Sequence, residues 1–175
     1  MRKGFTLLEL LLVMAILVIL AAVSLPTMQA MYGDTRVRGA ADEVRGAWAE
    51  ARTRSIDNGV PYRFAIITGK EQFRLAPDTN EFWDGSSGDI DPTSESNSAK
   101  VIVGSLPKHI FFESKQDLPG GSGGWRTIAI FLPDGSCKND ASVVVRADDC
   151  DPLTISVRGI TGIVTVRTQK QLEGR

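Results

Sequence analysis

The beginning of the chain decides the fold: residues 4–33 read GFTLLELLLVMAILVILAAVSLPTMQAMYG. The last 24 residues of this run carry no charged side chain. As an α-helix they would measure roughly 36 Å, enough to cross the hydrocarbon core of a bilayer. Arg2 and Lys3 precede the run, and Glu9 lies in its first turns. The sequence therefore predicts a membrane-spanning helix that carries one acid.

Residues 1–28 have three interpretations. Because Arg2 and Lys3 come first, the N-terminus is expected in the cytoplasm and the bulk of the chain outside. The segment is compatible with a secretory signal cleaved after Ala22-Val23-Ser24, with an ordinary anchor, or with a short leader removed just before Phe5. Glu9 favours the third, since a carboxylate in an apolar helix is costly and indicates a nearby partner. The alternative is that Glu9 reaches to the membrane interface.

A second helical pattern covers residues 33–58. It is predicted to end near Asn58-Gly59, a common C-terminal stop. Pro26 and Gly33 lie between the two helical patterns and predict a kink or local melting there. The apolar residues recur at helical spacing and are expected to face the rest of the protein: Val37, Ala40, Ala41, Val44, Ala47, Trp48 and Ala51.

Beyond residue 58 the pattern changes to strands. Residues 76–99 hold six acids and no lysine or arginine, which predicts a long exposed loop, and residues 118–124 are too rich in glycine for regular structure. The chain is therefore predicted to be an α+β protein, with an antiparallel β-sheet domain packed on one long helix. Strands are predicted at 62–67 and 72–75 as a hairpin, at 100–106, 109–113, 127–132 and 143–145, and at 153–157 and 163–167 as a second hairpin.

The two cysteines, Cys137 and Cys150, lie far downstream of the apolar helix. If that helix directs export, they lie in an oxidising compartment, where a disulfide between them would persist. Two unpaired, buried thiols are the alternative.

The sequence contains no recognisable catalytic motif, so neither enzymatic activity nor a cofactor is expected. His109 is the only histidine and is interpreted as a structural or surface residue. The acidic loop and the cluster Asp148-Asp149-Cys150-Asp151 offer the oxygen ligands that calcium prefers, but neither has a complete calcium-loop pattern. A solvated acidic surface is the preferred interpretation. The net charge of −1 provides no global attraction to nucleic acid.

The stretch Gly4-Phe5-Thr6-Leu7-Leu8-Glu9-Leu10 resembles the type III leader junction of type IV pilins and type II secretion pseudopilins. The shared features are a short basic leader, Gly before Phe, and Glu at the fifth position after that Gly. A long helix leading into a β-sheet agrees with the pilin architecture. Residues 131–136 and the final hairpin resemble the GspH/FimT family of minor pseudopilins and minor type IV pilins.

This resemblance implies cleavage by prepilin peptidase after Gly4 and N-methylation of the new amine on Phe5. It implies assembly into a filament through Glu9 and Thr6, with Glu9 facing the N-terminal amine of a neighbouring subunit. A carboxylate buried among apolar helices needs such a cationic partner. The implied partners are prepilin peptidase, other pilin or pseudopilin subunits and the inner-membrane assembly platform. Before assembly the chain would be a single-pass inner-membrane protein with a periplasmic domain; afterwards it would support protein secretion near the filament tip.

Four segments are thus predicted: a leader (1–4), a transmembrane and filament-core helix (5–32), an amphipathic helix (33–58) and a β-rich domain (59–175). Secretion and pilus machines share the leader and helix, so both remain open. Two other functions also remain open: a plain secreted protein, and a minor pilin that binds DNA. The DNA-binding residues would be the basic C-terminal group Arg158, Arg167, Lys170 and Arg175, although Ile163 follows Gly162 where DNA-binding relatives carry arginine.

Overall fold

The longest element of the chain is helix α1, which spans Leu7–Asn58 and is about 78 Å long. It belongs to a computed structural model that describes residues 6–83, 101–114, 124–148 and 150–168, apart from the side chains of residues 23–32. The helix ends at Gly59, whose φ of 65° and ψ of 18° give the left-handed cap that glycine adopts without strain. The predicted stop at Asn58-Gly59 is confirmed.

Helix α1 is continuous through Pro26 and Gly33, so the predicted local melting is wrong. A proline within a helix removes one backbone hydrogen bond, and the neighbouring turns can hold the helix together. Gly33 has a packing role instead. A Cβ atom built on Gly33 would collide with the Sγ atom of Cys150, so this position lets the domain approach the helix closely.

Within the residues that the structure describes, eight strands and one short helix follow α1. They are β1 (Tyr62–Ile66), β2 (Gln72–Pro77), α2 (Asn80–Trp83), β3 (Ile102–Ser105), β4 (Ile110–Glu113), β5 (Arg126–Phe131), β6 (Ala141–Ala147), β7 (Leu153–Val157) and β8 (Val164–Thr168). The strands form two antiparallel four-stranded sheets, in the orders β3-β2-β1-β5 and β4-β6-β7-β8. Both predicted hairpins, β1–β2 and β7–β8, are present.

The predicted loop 76–99 begins later than expected. Strand β2 extends to Pro77, and Phe82 and Trp83 are buried on the short helix α2. The indole N–H of Trp83 donates a hydrogen bond of 2.8 Å to the carbonyl of Pro77, which holds α2 against the sheet. The rest of this prediction, residues 84–99, and most of the predicted loop 118–124 lie outside the described residues.

The main core lies between α1 and the two sheets. The predicted apolar stripe of α1 faces it: Val37, Ala40, Val44 and Ala51 are fully buried, Ala41 is nearly so, and Ala47 packs at its edge. Trp48 is fully buried and meets Phe64 edge-on, with a ring separation of 5.9 Å, and Phe131 at 6.3 Å. Phe73 stacks on Phe64 at 5.5 Å and extends the aromatic cluster.

A smaller apolar cluster covers the other face of the first sheet. It comprises Ala65, Ala76, Phe82, Trp83 and Val101. The guanidinium of Arg63 lies over the Trp83 ring at 4.8 Å and forms an ion pair with Asp78. The guanidinium of Arg74 lies over the same ring at 5.3 Å, and burial lowers the pKa of this group. Arg63 on β1 and Arg74 on β2 thereby hold Trp83, and with it α2, against the first sheet.

Candidate functional site

The candidate site is the first part of α1, and Thr6 starts it. Thr6 has extended backbone angles (φ −81°, ψ 151°), and its hydroxyl accepts a hydrogen bond of 3.3 Å from the backbone N–H of Glu9. The carbonyl of Thr6 accepts the first helical hydrogen bond, from Leu10 at 3.2 Å. Thr6 is therefore the N-cap of the helix.

Glu9 occupies the third helical position and is exposed. The first turn of a helix carries partial positive charge, so a carboxylate here is favourable for the helix itself. Thr6 and Glu9 together have the spacing of a capping box, in which the residues at the two positions satisfy each other's backbone N–H groups. The structure shows one of the two hydrogen bonds of a capping box, the one from the backbone N–H of Glu9 to the hydroxyl of Thr6.

The apolar side chains that follow Thr6 are uncovered. They are between 45 and 81 % exposed and lie all around the helix, unlike the buried stripe of residues 37–51. Such a surface is unstable in water and has to be covered by lipid or by other protein. The residues are Leu7, Leu8, Leu10, Leu11, Leu12, Val13, Met14, Ile16, Leu17, Val18, Ile19 and Leu20. Among the described residues, no helix combines the length and mean hydropathy of a membrane span.

The predicted cleavage and methylation positions, Gly4 and Phe5, lie outside the described residues. Phe5 immediately precedes the N-cap Thr6. Cleavage after Gly4 would therefore leave a free amine on the residue that precedes the N-cap in the sequence.

In this structure Cys137 and Cys150 are free thiols and do not form the predicted disulfide. They lie at different levels of α1. Cys150 packs on Gly33, whereas Cys137 is two residues from Gly135, which lies beside Arg52. Gly33 and Arg52 are 19 residues apart, about 28 Å along a helix, and a disulfide requires Cα atoms within about 7 Å. Burial raises the pKa of the Cys137 thiol, which favours its protonated form.

The remaining residues singled out in the sequence are the acidic clusters, His109 and the basic C-terminal group. The described residues contain no group of three or more His, Cys, Asp or Glu side chains that could hold a metal ion; Asp149 and residues 84–100 lie outside that range. His109 is exposed at a turn, with a φ of 68°, and its backbone N–H donates to Glu71. Arg158 and Arg167 are exposed, and Lys170 and Arg175 lie outside the described residues.

Sequence reasoning missed two features of this region. The pattern Thr6-x-x-Glu9 is the signal that predicts a capped helix start at Thr6. The packing of Gly33 on Cys150 has no local signal, because it joins residues far apart in the sequence.

Comparison with known proteins agrees with this geometry. Residues 1–25 match the family model described as the prokaryotic N-terminal methylation motif. The chain carries the N-terminal motif of prepilin-type proteins. The matched region includes the N-cap Thr6, Glu9 and all of the exposed apolar residues from Leu7 to Leu20.

The fold also has a counterpart among solved structures. The minor pseudopilin EpsH from the type 2 secretion system of Vibrio cholerae superposes with a TM-score of 0.52 and 10% sequence identity, over 80% of this chain and 99% of that one. Both predictions, a prepilin-type N-terminus and a pilin-like α+β fold, are confirmed. Comparison with curated proteins gave no match.

Proposed function

We propose that this chain is a minor pseudopilin or minor pilin, a structural subunit of a filament with no catalytic activity of its own. The observation that carries the proposal is a coincidence of position. The methylation motif covers residues 1–25, and this is also where α1 leaves its own domain and exposes apolar side chains all around. One half of this helix packs on the domain, and the other half exposes apolar side chains that can pack against other subunits.

The first step of the proposed pathway is processing. Prepilin peptidase removes residues 1–4, and the new amine on Phe5 is methylated. The amine then adjoins the N-cap Thr6, so that its charge adds to the positive end of the helix. Before assembly, the apolar segment is held in the inner membrane and the β-rich domain lies on the periplasmic side.

The second step is assembly. The bare segment moves from lipid into a bundle of like helices from other subunits, with the assembly platform supplying the machinery. In the bundle, the carboxylate of Glu9 needs a cationic partner because an unpaired charge in an apolar environment is very costly. The amine on Phe5 of a neighbouring subunit is that partner. The domain then contributes contacts near the filament tip in protein secretion.

Mass spectrometry of the mature protein, purified from membranes of the native host, tests the proposal. A chain that begins at Phe5 and carries the mass of one extra methyl group is expected. A host strain without prepilin peptidase should yield the chain with Gly4 still attached. A mature chain beginning at Leu25 would instead identify a plain signal peptide and contradict the proposal.

A further inference from the structure

Among the described strands, the two sheets have four edges, which differ in whether neighbouring backbone covers them. The edges are β3 and β5 in one sheet and β4 and β8 in the other. An edge strand presents backbone N–H and C=O groups that can pair with another strand, so its cover matters for recognition.

Two of the edges are closed by backbone hydrogen bonds. Phe112 of β4 donates to the carbonyl of Lys70 at 3.2 Å, and its own carbonyl accepts from Gly69 at 3.0 Å. Ile130 of β5 accepts from Lys138 at 2.8 Å, and Phe131 forms a bridge with Cys137. Edge β3 has four residues, including one glycine, and begins two residues after a segment outside the described range.

Edge β8 is open. Arg158 donates to the carbonyl of Ile163, which fixes Ile163 as a hydrogen-bonded position of the β7–β8 hairpin. In an antiparallel pair such positions alternate, so Thr165 and Arg167 turn their backbone groups toward β7. The backbone groups of the residues between them, Val164, Val166 and Thr168, point away from the sheet. Across the described residues, these outward groups have no backbone partner.

The side chains of β8 give this edge a single charge, that of Arg167. The strand reads Val-Thr-Val-Arg-Thr, with no proline and with an unbroken register against β7. β-branched residues of this kind favour an extended strand. A groove of about 250 Å³ lies next to the edge and between it and α1. It is lined by Arg38, Ala41, Asp42, Leu153, Val166, Arg167 and Thr168.

The geometry points to β8 as a docking site for an extended, acidic segment of another polypeptide, which adds as an antiparallel fifth strand to this sheet. The outward groups of Val164, Val166 and Thr168 supply the backbone hydrogen bonds. The residue opposite Val166 faces the groove and is apolar. The residue opposite Arg167 is acidic, because the Arg167 guanidinium is exposed and forms no ion pair within the described residues, whereas Arg38 is already paired with Asp34 at 3.0 Å.

A second copy of the chain fits this edge less well. Two β8 strands paired about Val166 would place Arg167 opposite Thr165, which leaves the arginine charge without a partner. Such a two-fold pair would also set the two α1 helices in opposite directions. That second point rests on the proposed function, in which all helices of a filament run the same way; the open edge itself does not.

Hydrogen exchange followed by NMR, on the full chain in detergent micelles, tests the docking site. The probe is the peptide Ser-Thr-Glu-Val-Thr-Val-Ser, whose central Val is designed to lie opposite Val166 and its Glu opposite Arg167. Without peptide, the amides of Thr165 and Arg167 should exchange at least tenfold more slowly than that of Val166. With peptide at about 1 mM, exchange at Val164 and Val166 should slow at least tenfold.

Matched variants distinguish binding through backbone hydrogen bonds from nonspecific binding of the peptide. Val166→Pro removes an outward N–H without breaking the β7 ladder, and it should weaken binding at least tenfold; Val166→Thr keeps the N–H and should bind as before. If Val166→Pro does not fold, the same test is made with a peptide N-methylated at its central Val, which should not bind. The docking site is overturned by unchanged exchange at saturating peptide or by equal binding of the N-methylated peptide. A dimer of the chain that Val166→Pro abolishes would make a second copy the occupant and equally overturn it. None of these outcomes depends on how the N-terminus is processed.

Discussion

The two halves of α1 belong to one helix but have opposite relations to the rest of the protein. Residues 33–58 bury a stripe of apolar side chains in their own domain, with Trp48 at its centre. Residues 7–20 expose apolar side chains on every side. The C-terminal half is therefore stabilised by the chain itself, whereas the N-terminal half has to be covered by lipid or by other protein. Substitutions in the two halves should act on different properties.

The largest effect on stability is expected in the C-terminal half. Trp48→Ala removes a fully buried side chain that contacts Phe64 and Phe131, and should lower the free energy of unfolding by about 3–5 kcal/mol. Leu17→Ala is the matched control in the exposed half and should change it by less than about 0.5 kcal/mol. Urea unfolding in micelles, followed by circular dichroism, measures both. Equal effects would contradict the division of the helix.

Trp48→Phe sharpens this result. The indole N–H of Trp48 is buried without a hydrogen-bond partner among the described residues. Phenylalanine keeps most of the ring contacts and removes that unsatisfied group, so the loss should be clearly smaller than for Trp48→Ala. A loss as large as that of alanine would mean that the indole N–H has a partner.

Alanine substitutions at two glycines of α1 should change the free energy of unfolding by an intermediate amount, with opposite signs. Gly33→Ala should destabilise by about 1–3 kcal/mol, because its Cβ would collide with Cys150. Gly39→Ala should stabilise by about 0.5–1 kcal/mol, since a Cβ there meets no other atom and alanine is the better helix former. The same unfolding experiment measures both. Rescue of Gly33→Ala by Cys150→Ala would identify the collision; no rescue would refute it.

The smallest effects are expected in pH dependence. Hydrogen bonds from the hydroxyl and backbone N–H of Ser136 lower the pKa of Asp134, so its stabilising effect is present at neutral pH and is lost as the pH falls through that lowered pKa. Burial raises the pKa of Glu43, so its ionised form is slightly destabilising at neutral pH, and this is relieved as the pH falls toward 4.5. Asp134→Asn should therefore lower, and Glu43→Gln raise, the melting temperature at pH 7. Both differences should shrink in acid; a constant difference would exclude titration as the cause.

Much of the architecture was predictable because it rests on local patterns. The spacing of Val37, Val44 and Trp48 defines the buried stripe, Gly59 ends the helix, and alternation with glycine turns predicts both hairpins. The division into two sheets was not predictable, since it depends on pairings between distant segments such as β1 with β5. The positions of the two cysteines were not predictable for the same reason, because their spacing in the sequence says nothing about their different levels along α1.

The candidate site was predictable to a different degree. The motif around Thr6 and Glu9 is local, and the match over residues 1–25 confirms it. The open edge of β8 has no signature in the sequence, because β4 and β8 are both end strands of the same sheet and their exposure depends on what lies beside them. Closure of β4 by Gly69 and Lys70 becomes visible only in the folded chain.

The central claim is that the exposed N-terminal half of α1 assembles with other subunits through Glu9. Its most direct test is the incorporation of Glu9→Gln into filaments sheared from host cells, with Glu50→Gln in the domain-bound half as the matched control. We expect Glu9→Gln to melt like the unaltered chain yet to be incorporated at least tenfold less, and Glu50→Gln to be incorporated normally. Normal incorporation of Glu9→Gln, from cells that hold equal amounts of each variant, would contradict the account.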